Sequence, residues 1–115
     1  MVDFSLSDEH KALIETARRF TKERIIPVAA ECDEKSIFPM EVFKEAWSLG
    51  LVNPTCPAEY GGAGFGELEN AMIAEELAYG CTGIETSFMG NGLALTPIKL
   101  GGTEEQKKKY LGMLA

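Results

Sequence analysis

Glu75 is the side chain best placed for chemistry in this sequence. On a helical wheel it falls between Leu68, Ala71 and Met72, which predicts a partly buried carboxyl group. A buried carboxylate can serve as a general base with a raised pKa. The simpler expectation is an ion pair or hydrogen bond to a neighbouring helix. His10 is the only histidine and has no nucleophile or second ligand nearby, so it reads as a structural or surface residue. The run Gly61-Gly62-Ala63-Gly64-Phe65-Gly66 invites a phosphate reading, because glycines ahead of a helix can aim backbone N–H groups at an anion. The spacing departs from a dinucleotide fingerprint, and Glu67 and Glu69 would repel a phosphate, so a loop of glycines is the better account. Cys32, Cys56 and Cys81 are odd in number and widely spaced, which favours reduced thiols over a disulfide framework or a zinc site. The residues supply neither a nucleophile–base pair nor a metal-ligand set, and no catalytic residue is assigned.

Helices must position whatever these groups do. Ser7 is a suitable N-cap with Asp8 and Glu9 at the positive end of a first helix, whose stripe is Leu13, Ile14, Ala17, Phe20, Ile25 and Val28. Pro27 should kink this helix or begin a second segment. Another helix is expected from Pro39 to Gly50. Leu51 to Gly66, with Pro54, Pro57 and the glycines, reads as a loop. A helix follows from about Glu67 to Tyr79, burying Leu68, Met72, Ile73 and Leu77. Thr103-Glu104-Glu105-Gln106 is a capping box that opens the last helix, which carries Tyr110 and Leu111. No segment sustains a period-2 alternation. The fold class is all-α, a bundle of about five to six helices.

The stretch after Gly80 carries the most information. It predicts a helix running to about Leu95, followed by a short turn near Pro97. Ile84, Phe88 and Leu95 fall on one side of that helix; Met89 and Leu93 fall on another with Glu85 and Thr96. A helix apolar on two faces needs cover on most of its surface, and a chain of 115 residues has few helices to spare. It therefore asks for a ligand or partner.

Composition narrows the partner. A single domain of this length buries about 65% of its unfolded surface. The net charge of −7 argues against nucleic acid or an anionic membrane. Lys107-Lys108-Lys109 reads as a solvated face. No run reaches the ~20 apolar residues of a membrane span. The first residues, Met1 to Phe4, lack signal-like character.

Six segments together resemble the N-terminal helical domain of the acyl-CoA dehydrogenases, closest to the medium-chain type. They are Thr16-Ala17-Arg18-Arg19-Phe20, Ile25-Ile26-Pro27-Val28-Ala29-Ala30-Glu31, Ala46-Trp47-Ser48-Leu49-Gly50-Leu51, Gly61-Gly62-Ala63-Gly64, Glu75-Glu76-Leu77-Ala78-Tyr79-Gly80-Cys81-Thr82-Gly83 and Gln106-Lys107-Lys108-Lys109-Tyr110-Leu111-Gly112. They run in family order. The resemblance implies that residues 1–115 are the N-terminal α domain of a larger enzyme, without its middle β domain and C-terminal four-helix bundle. It implies α,β-dehydrogenation of a fatty acyl-CoA in β-oxidation: a carboxylate takes the α-proton, the β-hydride passes to FAD, and an electron-transferring flavoprotein reoxidises the flavin. The catalytic glutamate and most flavin contacts belong to the other domains, so this chain alone is expected to bind no cofactor and to be inactive.

The resemblance also places one wall of the acyl-chain pocket on the helix after the Glu-Glu-Leu-Ala-Tyr-Gly motif, at Glu85, Thr86, Met89 and Leu93. Polar side chains are common at the positions of Glu85 and Met89 in the family, and Met89 is apolar here. A mitochondrial matrix or cytoplasmic location and a homo-oligomer, either the family tetramer or self-association of an isolated domain, complete the expectation. The alternative is a free-standing helical interaction module that kept the fold without catalysis. The end at Leu114-Ala115, without a C-cap glycine, favours a piece of the enzyme.

Overall fold

The computed structural model describes residues 3–115; Met1 and Val2, part of the N-terminal reading above, lie outside the described residues. Helix α1 (Asp8–Phe20) begins at Ser7, whose Oγ accepts from the His10 N–H at 3.1 Å. His10 Nδ1 accepts from the Ser7 N–H in return, so a histidine completes the box that glutamate usually closes. Ahead of Pro27 the ladder widens into one π turn (Thr21–Ile25), and the Ile26 N–H reaches back to the Thr21 carbonyl. Proline has no N–H and its ring crowds the preceding turn. The wider turn absorbs both faults, and α2 (Ile26–Lys35) starts with Pro27 in its first turn.

Helix α3 (Met40–Ser48) follows Pro39, and its end is closed by Gly50 N–H to Trp47 and Leu51 N–H to Ala46, both at 2.9 Å. The loop from Leu51 to Gly66 is ordered around one 3₁₀ turn (Ala58–Tyr60). Gly62 sits so close to Cys56 that an added Cβ would meet its carbonyl oxygen at 2.1 Å.

Helix α4 (Glu67–Gly80) lies along α1 in parallel. His10 pairs with Glu69, Arg18 pairs with Glu76, and Gly80 meets Thr21 and Ile25, so both helices advance together. A Cβ at Gly80 would come within 2.4 Å of the Thr21 side chain. The close crossing therefore needs glycine there.

Two expectations for α4 are corrected. Leu68 is 54% exposed, and Glu75 is exposed as well. Apolar residues are spread around α4, so the wheel misjudged the centre of its buried face. That face carries Ile73, Leu77 and Met72, with Glu69 and Glu76 at its edge facing α1. Leu68, Ala71, Glu75 and Tyr79 share the outer side.

The helix predicted to run on to about Leu95 is two: α5 (Thr82–Met89) and α6 (Gly92–Gly101). Gly90, Asn91 and Gly92 weaken it at the join. The expected turn near Pro97 is corrected too: this residue lies inside α6. It sits in the second turn, so its missing N–H leaves only the Leu93 carbonyl without its helical donor. Helix α7 (Glu104–Leu114) opens at Thr103, where the Thr103 Oγ1 and Gln106 side chain cap each other's N–H groups.

No strand occurs among the described residues, and the fold is all-α. Seven α-helical segments appear because Pro27 and Gly90–Gly92 each interrupt an apolar stripe. The molecule measures 41 × 41 × 21 Å, so its thickness is that of about two helices. Each helix therefore keeps an outward face. A larger core gathers Phe20, Ile25, Ala46, Leu51, Ile73, Leu77, Ile84 and Phe88, with Phe43 edge-on to Phe88 at 5.2 Å. A smaller one holds only Cys56, Leu95 and Leu111.

Candidate functional site

Helix α5 separates its side chains by purpose. Ile84 and Phe88 enter the larger core, while Glu85 and Met89 turn to a cleft of about 290 Å³. Leu93, Thr96 and Gly92 of α6 continue the same wall. Opposite stand Glu67, Asn70 and Ala74 of α4, and the loop residues Asn53, Pro54 and Thr55 close the end. Three of the four residues assigned to an acyl wall, Glu85, Met89 and Leu93, thus come together, with Thr96 beside them. Thr86 does not line the cleft; it is exposed, and its hydroxyl donates to Glu85 Oε2 at 3.2 Å. One residue along a helix is a turn of about 100°, which carries Thr86 off the wall.

The cleft is apolar along Met89, Leu93, Ala74 and Pro54 and polar at Asn70, Thr96, Glu67 and Glu85. Leu93 is 85% exposed and Met89 is half-buried. An exposed leucine in a groove is the part of an apolar wall that a ligand or another domain would cover.

The end wall at Asn53 depends on a contact distant along the chain. Asn53 is buried with φ +52, a left-handed conformation that asparagine tolerates better than most residues. Its Nδ2 donates to the Leu114 carbonyl at 2.7 Å, and Trp47 Nε1 donates to the Ala115 carbonyl at 2.7 Å. Cys56 Sγ donates to Leu111 at 3.5 Å, and burial pushes that thiol's pKa up. Three side chains from α3 and the loop thereby reach carbonyls of Leu111, Leu114 and Ala115 along α7. Val52-Asn53-Pro54 offered a turn signal, but nothing in it named α7 as the acceptor.

The remaining chemical candidates are structural. His10 Nε2 bonds Glu69 Oε1 at 2.9 Å; since Nδ1 accepts from Ser7, Nε2 carries the proton. Glu69 also accepts from the Gly66 N–H at 3.0 Å, and these bonds, led by that from His10, hold its carboxyl below the usual range. Glu75 lies among Arg18, Lys22, Glu76 and Tyr79 on an open surface, while Glu76 takes the Arg18 guanidinium, Nε to Oε2 at 3.0 Å. In the glycine run, Gly62 and Gly64 give their N–H groups to Pro57 and Cys56, and Phe65 gives its own to Pro54. Those donors serve the loop. No group of three potential metal ligands occurs among the described residues.

A flavin would need donors for its pyrophosphate. The glycine N–H groups are engaged, and the charged residues lining the cleft are the acids Glu67 and Glu85. This domain's cleft does not fit the phosphate end of FAD.

The parallel α1–α4 pair, the split α5–α6 wall and the groove beside it define the architecture of this helical domain. The family profile described as acyl-CoA dehydrogenase, N-terminal domain, matches residues 7–115, and the chain belongs to that family as its N-terminal domain. The chain is 47% identical over 114 residues to a probable medium-chain specific acyl-CoA dehydrogenase 2, mitochondrial, of Caenorhabditis briggsae, covering 99% of this chain and 28% of that protein. It superposes on butyryl-CoA dehydrogenase of Megasphaera elsdenii with TM-score 0.88 and 32% identity, over 98% of this chain and 30% of that one. A structure described for the electron transferring flavoprotein of Acidaminococcus fermentans matches with TM-score 0.88 and 30% identity, over 99% and 30%. The chain thus spans less than a third of these relatives. The family match extends over nearly all of its length, which favours the enzyme-domain reading above the free-standing module.

Proposed function

We propose that this domain supplies one wall of the acyl-chain pocket of an FAD-dependent acyl-CoA dehydrogenase that oxidises the α,β bond of fatty acyl-CoA thioesters. The observation that carries the reading is the convergence of Glu85, Met89, Leu93 and Thr96 on one open groove. FAD, held by other parts of the complete enzyme, would supply the hydride acceptor. The residues of this chain bind and orient: Met89 and Leu93 shed water from an alkyl chain, and Glu85, steadied by Thr86, limits how far it reaches. The electron acceptor is an electron-transferring flavoprotein, and the compartment is the mitochondrial matrix or the cytoplasm. The enzyme is a homo-oligomer. The medium-chain and butyryl names of the relatives set the range of chain lengths to test.

The test is kcat/KM over saturated acyl-CoA substrates of increasing length, for the complete enzyme and its Leu93→Trp variant. Activity is expected to fall steeply for long chains and little for short ones, a 10-fold or greater difference for roughly 1–3 kcal/mol of lost pocket binding. A uniform loss or an unchanged profile would remove Leu93 from the pocket.

A further inference from the structure

A second cleft lies on the other side of α5. Its volume is about 340 Å³, and two thiols from different elements line it: Cys32 of α2 and Cys81 at the junction of α4 and α5. Both are half-buried and free. Asp33 and Ser36 of the α2 end and Ser87 of α5 complete the polar part of the lining. Cysteines that look unrelated along the chain therefore share one solvent-open cavity.

Both thiols sit at the margin of the larger core and open to the same cavity. Helix α2 has no fully buried residue and meets the larger core through the partly buried Val28, Ala29 and Cys32. Cys81, between the buried Leu77 and Ile84, packs against the same core from the other side of the cleft. The third cysteine supplies the contrast. Cys56 is fully buried, its pKa is pushed up and its Sγ is bonded to Leu111. The thiolate is the reactive form, so Cys56 is inert.

We propose that Cys32 and Cys81 form an oxidisable dithiol site that a hydroperoxide converts to an internal disulfide, stapling α2 to the head of α5. In the first step one thiolate attacks a peroxide oxygen; the O–O bond breaks, hydroxide leaves and takes up a proton, and the sulfur becomes a sulfenic acid. The second thiol then attacks that sulfur, the S–O bond breaks, water leaves and the S–S bond forms. Two thiols give up two electrons and two protons, and hydrogen peroxide is reduced to two waters. Bond formation draws the Cα atoms to roughly 4.4–6.8 Å and narrows the cleft. Helix α5 also carries Glu85 and Met89, so the staple acts on the wall of the groove described above.

The test treats the purified full-length protein with hydrogen peroxide, followed by alkylation, intact mass and peptide mapping. The expected product is lighter by two hydrogens, contains a Cys32–Cys81 linked peptide, reverts with dithiothreitol and is absent from the Cys32→Ser variant. Cys56 should be alkylated only after denaturation. Oxygen addition at either cysteine without a linked peptide, a disulfide between two molecules, or no reaction would overturn the proposal. Should Cys32→Ser unfold, phenylarsine oxide on the wild type decides the matter. Joint protection of both thiols from maleimide is expected, and independent alkylation of each would overturn it.

Discussion

The two halves of this domain are held by different forces. Around α1, α3, α4 and α5, eleven buried side chains form a continuous apolar core, with the ring of Phe43 edge-on to Phe88 and the more exposed Phe38 beside them. Around α6 and α7 only Cys56, Leu95 and Leu111 are buried together. There the helix is placed by donors: Trp47, Asn53 and Cys56 each reach a carbonyl at its end. The groove lies at the seam, with α5 and α4 from the well-packed half and Leu93 and Thr96 from the weakly packed one. In the proposed acyl wall, a well-packed back and a less packed lip would let the groove admit chains of differing length.

Three substitutions break or sharpen this contrast. Phe88→Ala should cost about 3–5 kcal/mol in urea unfolding of the chain, because the residue is fully buried among aromatic partners. A cost near 1 kcal/mol would mean that the larger core is not the main support. Asn53→Ala should cost about 1–3 kcal/mol by leaving the Leu114 carbonyl without its donor. Hydrogen exchange should quicken in α7 while α1 and α4 keep their protection; equal loosening of both halves would erase the distinction.

The smallest effect concerns Glu69, whose carboxyl titrates below its usual 4.5 because His10 and backbone N–H groups favour the charged form. A depressed carboxylate pKa contributes stability that is present above the usual value and lost as pH falls through the lower folded value. The melting temperature of Glu69→Gln should therefore fall less steeply than that of the wild type on acidification below pH 4.5. Parallel profiles would place the acid sensitivity elsewhere.

Legibility in the sequence followed the same divide. Local signals were readable: the Ser7 and Thr103 caps and the break at Pro27 appear in the structure. Of the expected shared side of Ile84, Phe88 and Leu95, only Ile84 and Phe88 stay together, whereas Leu95 enters the smaller core. The grouping of Glu85, Met89 and Leu93 was also readable, because a helical period survives the small break at Gly90–Gly92. What escaped depends on partners distant in the chain. The buried face of α4 could not be centred without knowing that His10 and Arg18 of α1 would claim Glu69 and Glu76. The Asn53 end wall escaped because only the fold brings it to α7. Pro97 was read as a stop, although in a second turn it forfeits a single bond.

Photoaffinity mapping tests the central claim most directly. The complete enzyme would be irradiated with an acyl-CoA carrying a diazirine at the far end of its chain, and the labelled peptides sequenced. Attachment within α5 and α6, at Glu85, Met89, Leu93 or Thr96, and its loss when unlabelled acyl-CoA competes, is the predicted result. Specific, competable labelling confined to other helices of this domain, or to other domains alone, would contradict the assignment of this groove as the acyl wall.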